Sequence, residues 1–357
     1  MIKTGIIGAT GYAGQQLVSL LINHPEAEVT FVSSNSYAGQ SFSDIYPQFY
    51  RILDQKLLST EEAKAAIGDV DVVFTALPNG LVFEIAEIAM EKGTKIVDFS
   101  ADFRLDDPAV YEEWYKTKHT APQLVSRQVY GLPELWRDRI RNAQLVANPG
   151  CYTTASILAV SALLREEGLA DKKHIIIDAK SGITGSGRKA NVSLLYAEAG
   201  ESIKAYGIAN HRHTPEIEEQ LSLAAGEEML INFTPHLVPM NRGILITAYA
   251  SLKSTLQPDG TRAFPSYEEV RAAYDKYYDK EKFVRVLDKN VCPETKWVEG
   301  SNYVDVNFKI DERTGRVIMM GAMDNLVKGA AGQAVQNMNL MFGLPETKGL
   351  ELVPMFP

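Results

Sequence analysis

The sequence predicts an α/β protein in two parts: a doubly wound parallel sheet, then an α+β domain built on a mixed sheet. Three observations carry this. Strand-like and helix-like segments alternate through the first 150 residues, the pattern of a parallel sheet covered by helices on both faces. A glycine-rich turn, Gly8-Ala9-Thr10-Gly11-Tyr12-Ala13-Gly14, joins the first strand to the first helix. Beyond Cys151 the strands lengthen and alternate apolar with polar residues, which marks a sheet with one face covered.

Ile2–Ile7 reads as the first strand. Tyr12–Ile22 reads as a helix, with Ala13, Leu17, Leu20 and Leu21 at helical spacing. Glu28–Ser33 is the second strand. Asp71–Leu77 is a continuous apolar run, as in a strand buried on both faces. Leu81–Glu91 reads as a helix ended by Gly93. Lys95–Ser100 and Leu145–Ala147 are further strands. Cys151 stands at the start of a helix-like run that stops near Gly168. In the second part His174–Ala179, Gly243–Leu252, Tyr303–Ile310 and Arg316–Met323 read as strands, and Leu326–Phe342 as a last helix that can return to the first part.

The length, 357 residues, suits about two domains. Apolar content of 45% and charged content of 23% are those of a globular chain with ample core. The formal net charge of −9 argues against a nucleic-acid or anionic-membrane surface. No apolar run reaches the ~20 residues of a membrane span, and the chain opens on a strand rather than a secretory signal. Two cysteines, Cys151 and Cys292, make neither a disulfide framework nor a metal cluster. The expected setting is cytoplasmic and reducing, with no metal.

The glycine turn lets the backbone approach a pyrophosphate, which then sits on a helix N-terminus. Its strand–turn–helix context points to a dinucleotide, although the spacing is G-x-x-G-x-x-G. The second strand ends in Ser33-Ser34-Asn35-Ser36. An acidic residue there would bind the ribose 2′-hydroxyl of NAD; hydroxyls and an amide accommodate a 2′-phosphate instead. The expected cofactor is NADP(H).

Asn148-Pro149-Gly150 delivers Cys151 to a helix N-terminus, where exposed N–H groups and the dipole favour the thiolate. On its own this segment allows two readings: a reactive nucleophile, or a small buried apolar residue. His211 and His213 precede Thr214-Pro215-Glu216, which reads as a helix start with Thr214 as cap. The positive end of that helix disfavours protonation and leaves a neutral base. Surface loop residues, or metal ligands, are the other readings of the pair, although a lone H-x-H without a third ligand is poor evidence for a metal. Arg104 follows a strand of the first part, where α/β sheets bind ligands. It can fork onto a phosphate or carboxylate, or pair with Asp102, Asp106 or Asp107. The loop from Lys180 through Ser181 and Gly182 to Arg188 and Lys189 suits an anionic substrate or cofactor, or is an exposed loop at a domain junction.

Taken together, GATGYAG (8–14), SSNSYAGQ (33–40), DFSADFRL (98–105), YGLPEL (130–135), NPGCYTT (148–154), DAKSGITGSGR (178–188), HRHTPEI (211–217) and NLVKGAAGQAVQNMN (325–339) carry a resemblance over essentially the whole chain. It resembles the N-acetyl-gamma-glutamyl-phosphate reductases of the aspartate-semialdehyde dehydrogenase-like superfamily. The resemblance implies a Rossmann-type NADP-binding domain over 1–150, completed by 325–357. It implies a catalytic and oligomerisation domain over 151–324, in a homodimer or homotetramer acting on a small acyl-phosphate substrate. It implies Cys151 as thioester-forming nucleophile, with His213 as acid/base, His211 beside it and Glu216 orienting the histidine. Arg104, Ser100, Asn148, Lys180 and Arg212 are then expected at the substrate. Gly8, Thr10, Gly11, Tyr12, Ala13, Gly14, Ser33, Ser34, Ser181, Gly182 and Asn325 are expected at the cofactor. Thr153 stands where the family usually carries proline, and Asn35 where its members often carry arginine. Aspartate-semialdehyde dehydrogenase and aminoadipyl-phosphate reductase share this chemistry; a non-catalytic NADP-binding sensor would need neither Cys151 nor His213.

Overall fold

The structure, a computed structural model, describes residues 1–355. Phe356 and Pro357, at the end of the expected 325–357 segment, lie outside the described residues. The chain forms two compact units, Met1–Gly150 with Ala330–Leu352, and Cys151–Gly329 with the tail from Val353.

In the first unit β1 (Ile2–Ile7), β2 (Ala27–Ser33), β3 (Val72–Thr75), β4 (Lys95–Asp98), β5 (Gln128–Tyr130) and β6 (Leu145–Ala147) form a single sheet in the order β2-β1-β3-β4-β6-β5. Every pairing is parallel. The helices are α1 (Tyr12–Ile22), α2 (Phe42–Ile45), α3 (Thr60–Ala65), α4 (Phe83–Lys92), α5 (Pro108–Tyr115) and α6 (Pro133–Arg141). This is the doubly wound sheet that the alternation foretold. The strand order reverses between β1 and β3, and open α/β sheets bind ligands at such a switch point. All four residues of β3 are buried, which is why its sequence is an unbroken apolar run.

In the second unit β7 (Ile175–Ser181), β8 (Lys204–Ala205), β9 (Ile231–Leu237), β10 (Ile244–Ser251), β13 (Val284–Val286), β14 (Val304–Asp311) and β15 (Arg316–Met323) make a sheet in the order β13-β14-β15-β10-β7-β9-β8. The pairs β7–β9 and β13–β14 are parallel and the others antiparallel, so the sheet is mixed. Two short strands, β11 (Thr255–Leu256) and β12 (Arg262–Ala263), form a separate ribbon. The helices are α7 (Cys151–Leu164), α8 (Tyr196–Ala199), α9 (Thr214–Ala225) and α10 (Tyr267–Tyr278). Helix α7 packs against β10 and β15 as well as against α9 and α10. Every residue from Tyr152 to Leu164 is therefore buried, and the helix reads as apolar all round. Truncating Leu158 or Leu163 there would cost about 2–5 kcal/mol.

The chain then returns to the first unit through α11 (Gly332–Met341), which packs against α1 and α6. One continuous helix was expected over Leu326–Phe342. Instead Val327–Ala331 is a π-helical turn, and the regular helix begins after it. Such turns insert a residue into the ladder and re-aim what they carry. Among the described residues no helix is long and apolar enough to cross a membrane.

Candidate active site

Cys151 is the first residue of α7 and is partly buried. The π-helical turn brings Gly329 against it. A Cβ built on Gly329 would lie 2.8 Å from the Cys151 Cβ, closer than real side chains approach, so only glycine fits beside the thiol-bearing carbon.

Within the first unit, Asn148 of the preceding turn is fixed on every side. Its N–H donates to the Asp98 carbonyl (2.7 Å), its Nδ2 donates to the Ala330 carbonyl (3.0 Å) and its Oδ1 accepts from Asn337 Nδ2 (3.1 Å). Its carbonyl accepts from Arg104 Nε at 2.8 Å. Arg104 is buried and also donates to the Phe99 carbonyl at 2.6 Å. The Ser100 hydroxyl, expected at the substrate, is buried and donates to Asp98 Oδ2 at 2.7 Å.

The histidines sit at the start of α9. The expected cap, Thr214, is the first helical residue; His213 occupies the cap position without a side-chain capping bond. Glu216 lies in the first turn as expected and is buried, and it accepts from Thr153 Oγ1 at 2.8 Å. Two segments expected to carry the chemistry, NPGCYTT and HRHTPEI, thus meet through a hydrogen bond.

His211 is packed edge-on among Tyr152, Tyr206 and Phe233, with His213 at a ring-centroid distance of 4.9 Å. The His213 N–H donates to His211 Nδ1 at 3.1 Å. A neutral His211 ring therefore carries its proton on Nε2. Burial, and secondarily the Arg212 charge, pulls the His211 pKa down to about 4. The expectation of a neutral imidazole holds for His211, and burial is the main cause rather than the helix end. Tyr206 Oη donates to Tyr152 Oη (3.2 Å), which donates to the His236 carbonyl (3.1 Å). Burial holds the Tyr152 phenol far above its ordinary range and pushes that of Tyr206 up to about 12, so both remain donors. Arg212 is exposed and Lys180 is partly exposed on β7.

In the first unit a cavity of about 750 Å³ opens at the switch point, within the volume range of ligand sites. Gly8, Thr10 and Gly11 line it after β1, Ser34 to Ser36 after β2, and Leu77 and Pro78 after β3. The cradle fits a pyrophosphate. Gly8 has φ +90°, and a Cβ there would meet the Ala76 carbonyl at 2.4 Å. A Cβ on Gly14 would meet the Gly8 carbonyl at 2.4 Å, while one on Gly11 would meet nothing closer than 3.7 Å. Gly14 thus seats the helix and Gly11 faces the opening. Thr10 Oγ1 and Ser34 Oγ lie 2.7 Å apart and tie the first two loops together. Tyr12 and Ala13, expected at the cofactor, open α1 and do not line this cavity, and Ser33 is buried with its carbonyl accepting from Gly8 and Ala9. Ser181, Gly182 and Asn325 belong to the second unit. There Asn325 Oδ1 accepts from the Gly243 N–H (2.8 Å) and Nδ2 donates to Thr184 (2.9 Å).

Two contributors to the cavity were not read from the sequence. Lys64 of α3 lines it beside Ser34 to Ser36, with Nζ 2.7 Å from Glu84 and 2.9 Å from Glu61. It places a cation in the lining, already paired with two carboxylates. Asp102 accepts from the N–H groups of Gly80 and Val82 and from Tyr111 Oη, fixing the loop after β3. Burial, and then the nearby Asp102 charge, raises the neighbouring Asp98 to about 6. The signal for this loop was the Pro78-Asn79-Gly80 turn at a strand C-terminus.

Residues 3–143 match the family description "semialdehyde dehydrogenase, NAD binding domain", and residues 151–325 match "semialdehyde dehydrogenase, dimerisation domain". An N-acetyl-gamma-glutamyl-phosphate reductase from Lachnospira eligens is 56% identical over 100% of both chains. Among solved structures, aspartate semialdehyde dehydrogenase II from Vibrio cholerae matches with a TM-score of 0.71 at 16% identity, over 96% of this chain and 98% of that one. Aspartate semialdehyde dehydrogenase with NADP from Candida albicans matches with a TM-score of 0.69 at 18% identity, over 96% and 98%. At those identities the structural likeness speaks for the fold.

Proposed function

Since the chain belongs to the N-acetyl-gamma-glutamyl-phosphate reductases of the semialdehyde dehydrogenase family, we propose that its Cys151 thiolate is the covalent nucleophile of an acyl-phosphate reduction. The overall reaction is the NADPH-dependent reduction of N-acetyl-gamma-glutamyl phosphate to N-acetylglutamate 5-semialdehyde and phosphate, a step of arginine biosynthesis.

Cys151 Sγ attacks the acyl carbon, a C–S bond forms, and the C–O bond to phosphate breaks. The product on the enzyme is a thioester, which splits one hard reduction into two easier steps. NADPH, when bound, supplies the hydride that reduces the thioester carbonyl. His213 gives a proton to the developing oxyanion and takes it back as the C–S bond breaks, which releases the aldehyde and restores the thiolate. His211, neutral and held by the His213 N–H, fixes the geometry of that segment. Glu216 orients the His213 segment from its bond to Thr153. Arg104 is assigned to the substrate phosphate, and its hold on the Asn148 carbonyl gives it a second task in fixing the turn before Cys151. Ser100, Asn148, Lys180 and Arg212 complete the assigned substrate residues; Ser181, Gly182 and Asn325 complete the cofactor residues.

The observation that carries this reading is the Thr153–Glu216 bond, which ties the helix opened by Cys151 to the helix capped by His213. We propose the first unit as the NADP(H) domain and the second as the catalytic and oligomerisation domain of a cytoplasmic homodimer or homotetramer. The match of residues 151–325 to a dimerisation domain supports the assembly. The test is a reverse assay with NADP, phosphate and N-acetylglutamate semialdehyde, followed by mass spectrometry of the quenched enzyme. An acyl adduct on the Cys151 peptide supports the reading; NADPH formation by a Cys151→Ala variant at the wild-type rate overturns it.

A further inference from the structure

A second cavity, of about 370 Å³, lies wholly in the second unit. Lys189 and Lys204 line it, with Ser186, Asn191, Ser193 and Tyr206. Neither lysine has a carboxylate partner among the described residues, although acidic residues outnumber basic ones in the chain. The position of Lys204 is set by strand pairing. It lies opposite Leu237 in the antiparallel β8–β9 pair, and the Tyr206 N–H donates to the Pro235 carbonyl. Lys204 and Tyr206 are two residues apart on an extended segment and so project to the same side. Tyr206 is also the ring that touches His211 and bonds Tyr152, the neighbour of Cys151. Tyr206 thus joins the lining of this cavity to the residue beside the nucleophile.

The rest of the lining is equally specific. Asn191 Oδ1 is taken by the N–H and hydroxyl of Ser193, which leaves its Nδ2 as a donor toward an amide carbonyl. Leu194 and Leu237 provide an apolar wall. Two ammonium groups, an amide donor and a small apolar wall match a carboxylate, an acyl carbonyl and a methyl group on one short chain.

We propose that this cavity binds the non-reacting end of the substrate, with Lys189 and Lys204 on the α-carboxylate and Asn191 with Leu194 and Leu237 on the N-acyl group. The proposal rests on the acyl-phosphate reductase reading above. Its test uses the full-length enzyme, wild type and Lys189→Met/Lys204→Met. Calorimetry would measure binding of N-acetylglutamate and of its α-methyl ester. Wild type should prefer the diacid by about tenfold or more, as charge-assisted bonds do, and the variant should bind both alike. A variant that keeps the wild-type preference, or a wild type that binds neither compound, overturns the site. In the reverse assay the variant should raise KM for N-acetylglutamate semialdehyde by about tenfold with kcat within about threefold; an unchanged KM also overturns it. Wild-type enzyme that binds N-acetylglutamate here but never oxidises the semialdehyde would instead overturn the reductase reading and leave the anion site standing.

Discussion

The Thr153 hydroxyl donates to the Glu216 carboxylate at 2.8 Å, with both side chains buried. Thr153 therefore joins the cysteine helix to the histidine helix across 63 residues of sequence. Thr153→Val keeps the shape and removes the donor from a buried carboxylate. It should cost about 1–3 kcal/mol in urea unfolding and lower kcat, while Thr153→Ser retains both. Thr153→Pro is sterically allowed in a first helical turn and should behave as the valine variant does. Equal stability of the threonine and valine forms would remove the bond from the account.

Cys151→Ala should reduce turnover by at least about a thousandfold, since loss of a covalent nucleophile is rarely compensated. NADPH binding, read by nicotinamide fluorescence, should stay unchanged because the glycine cradle lies in the other unit. Residual turnover within about tenfold of wild type would exclude a thioester route.

His211 gives a pH dependence of known sign. Unfolded, it takes up a proton near pH 6.5; folded, only near 4. Between those values the unfolded chain binds more protons, so stability rises with pH across the window. The full contribution, about 3 kcal/mol, is present above pH 6.5 and is lost as the pH falls toward 4. His211→Asn should flatten this acid limb in denaturant titrations at several pH values. His213→Asn, not His211→Asn, should remove the basic-limb ionisation from the pH–rate profile; the opposite result would exchange their roles.

Gly329→Ala places a methyl group 2.8 Å from the Cys151 Cβ. The thiol-bearing residue must shift, and catalysis tolerates such shifts poorly. We expect kcat to fall by about tenfold or more, with NADPH affinity unchanged and the iodoacetamide alkylation rate of Cys151 altered. An alanine variant with wild-type kcat would show that the turn can yield.

Gly14 and Gly11 should separate stability from binding. Gly14→Ala drives a Cβ to 2.4 Å from the Gly8 carbonyl and should lower Tm by several degrees. Gly11→Ala has room in the fold but projects into the cavity lining. It should leave Tm in place and weaken NADPH binding; equal effects of both on Tm would contradict the assigned facing.

The first sheet was legible because its central strands are buried on both faces and so are written as apolar runs, as in Val72 to Thr75. β5 escaped because three residues, Gln128 to Tyr130, carry no period. β9 escaped because Pro235 interrupts a run that strand patterning would otherwise accept. The helix Tyr267–Tyr278 carries its signal in the capping box of Ser266 and Glu269. The chemical motifs around Cys151 and His213 stand out by residue type and local turn chemistry. The use of Arg104 and Asn148 does not, because backbone carbonyls as partners leave no mark on composition. The Thr153–Glu216 bond was invisible for a different reason: each residue has an ordinary local explanation, and only tertiary packing sets one against the other.

The interrupted first unit also orders events at the ribosome. Asn337 donates to the Gly131 carbonyl and to Asn148, and Asn339 pairs with His24, so residues 1–150 lack these partners until α11 has been made. Gly150 and Ala330 are separated by 330 − 150 = 180 positions, which is about 10–40 s of synthesis at typical elongation rates. The body of the second unit, Cys151–Gly329, is contiguous and is synthesised in full during that interval. A nascent chain released before residue 330 would therefore carry the body of the second unit without its tail, and a first unit whose surfaces for α11 on α1 and α6 stand open to chaperones and proteases.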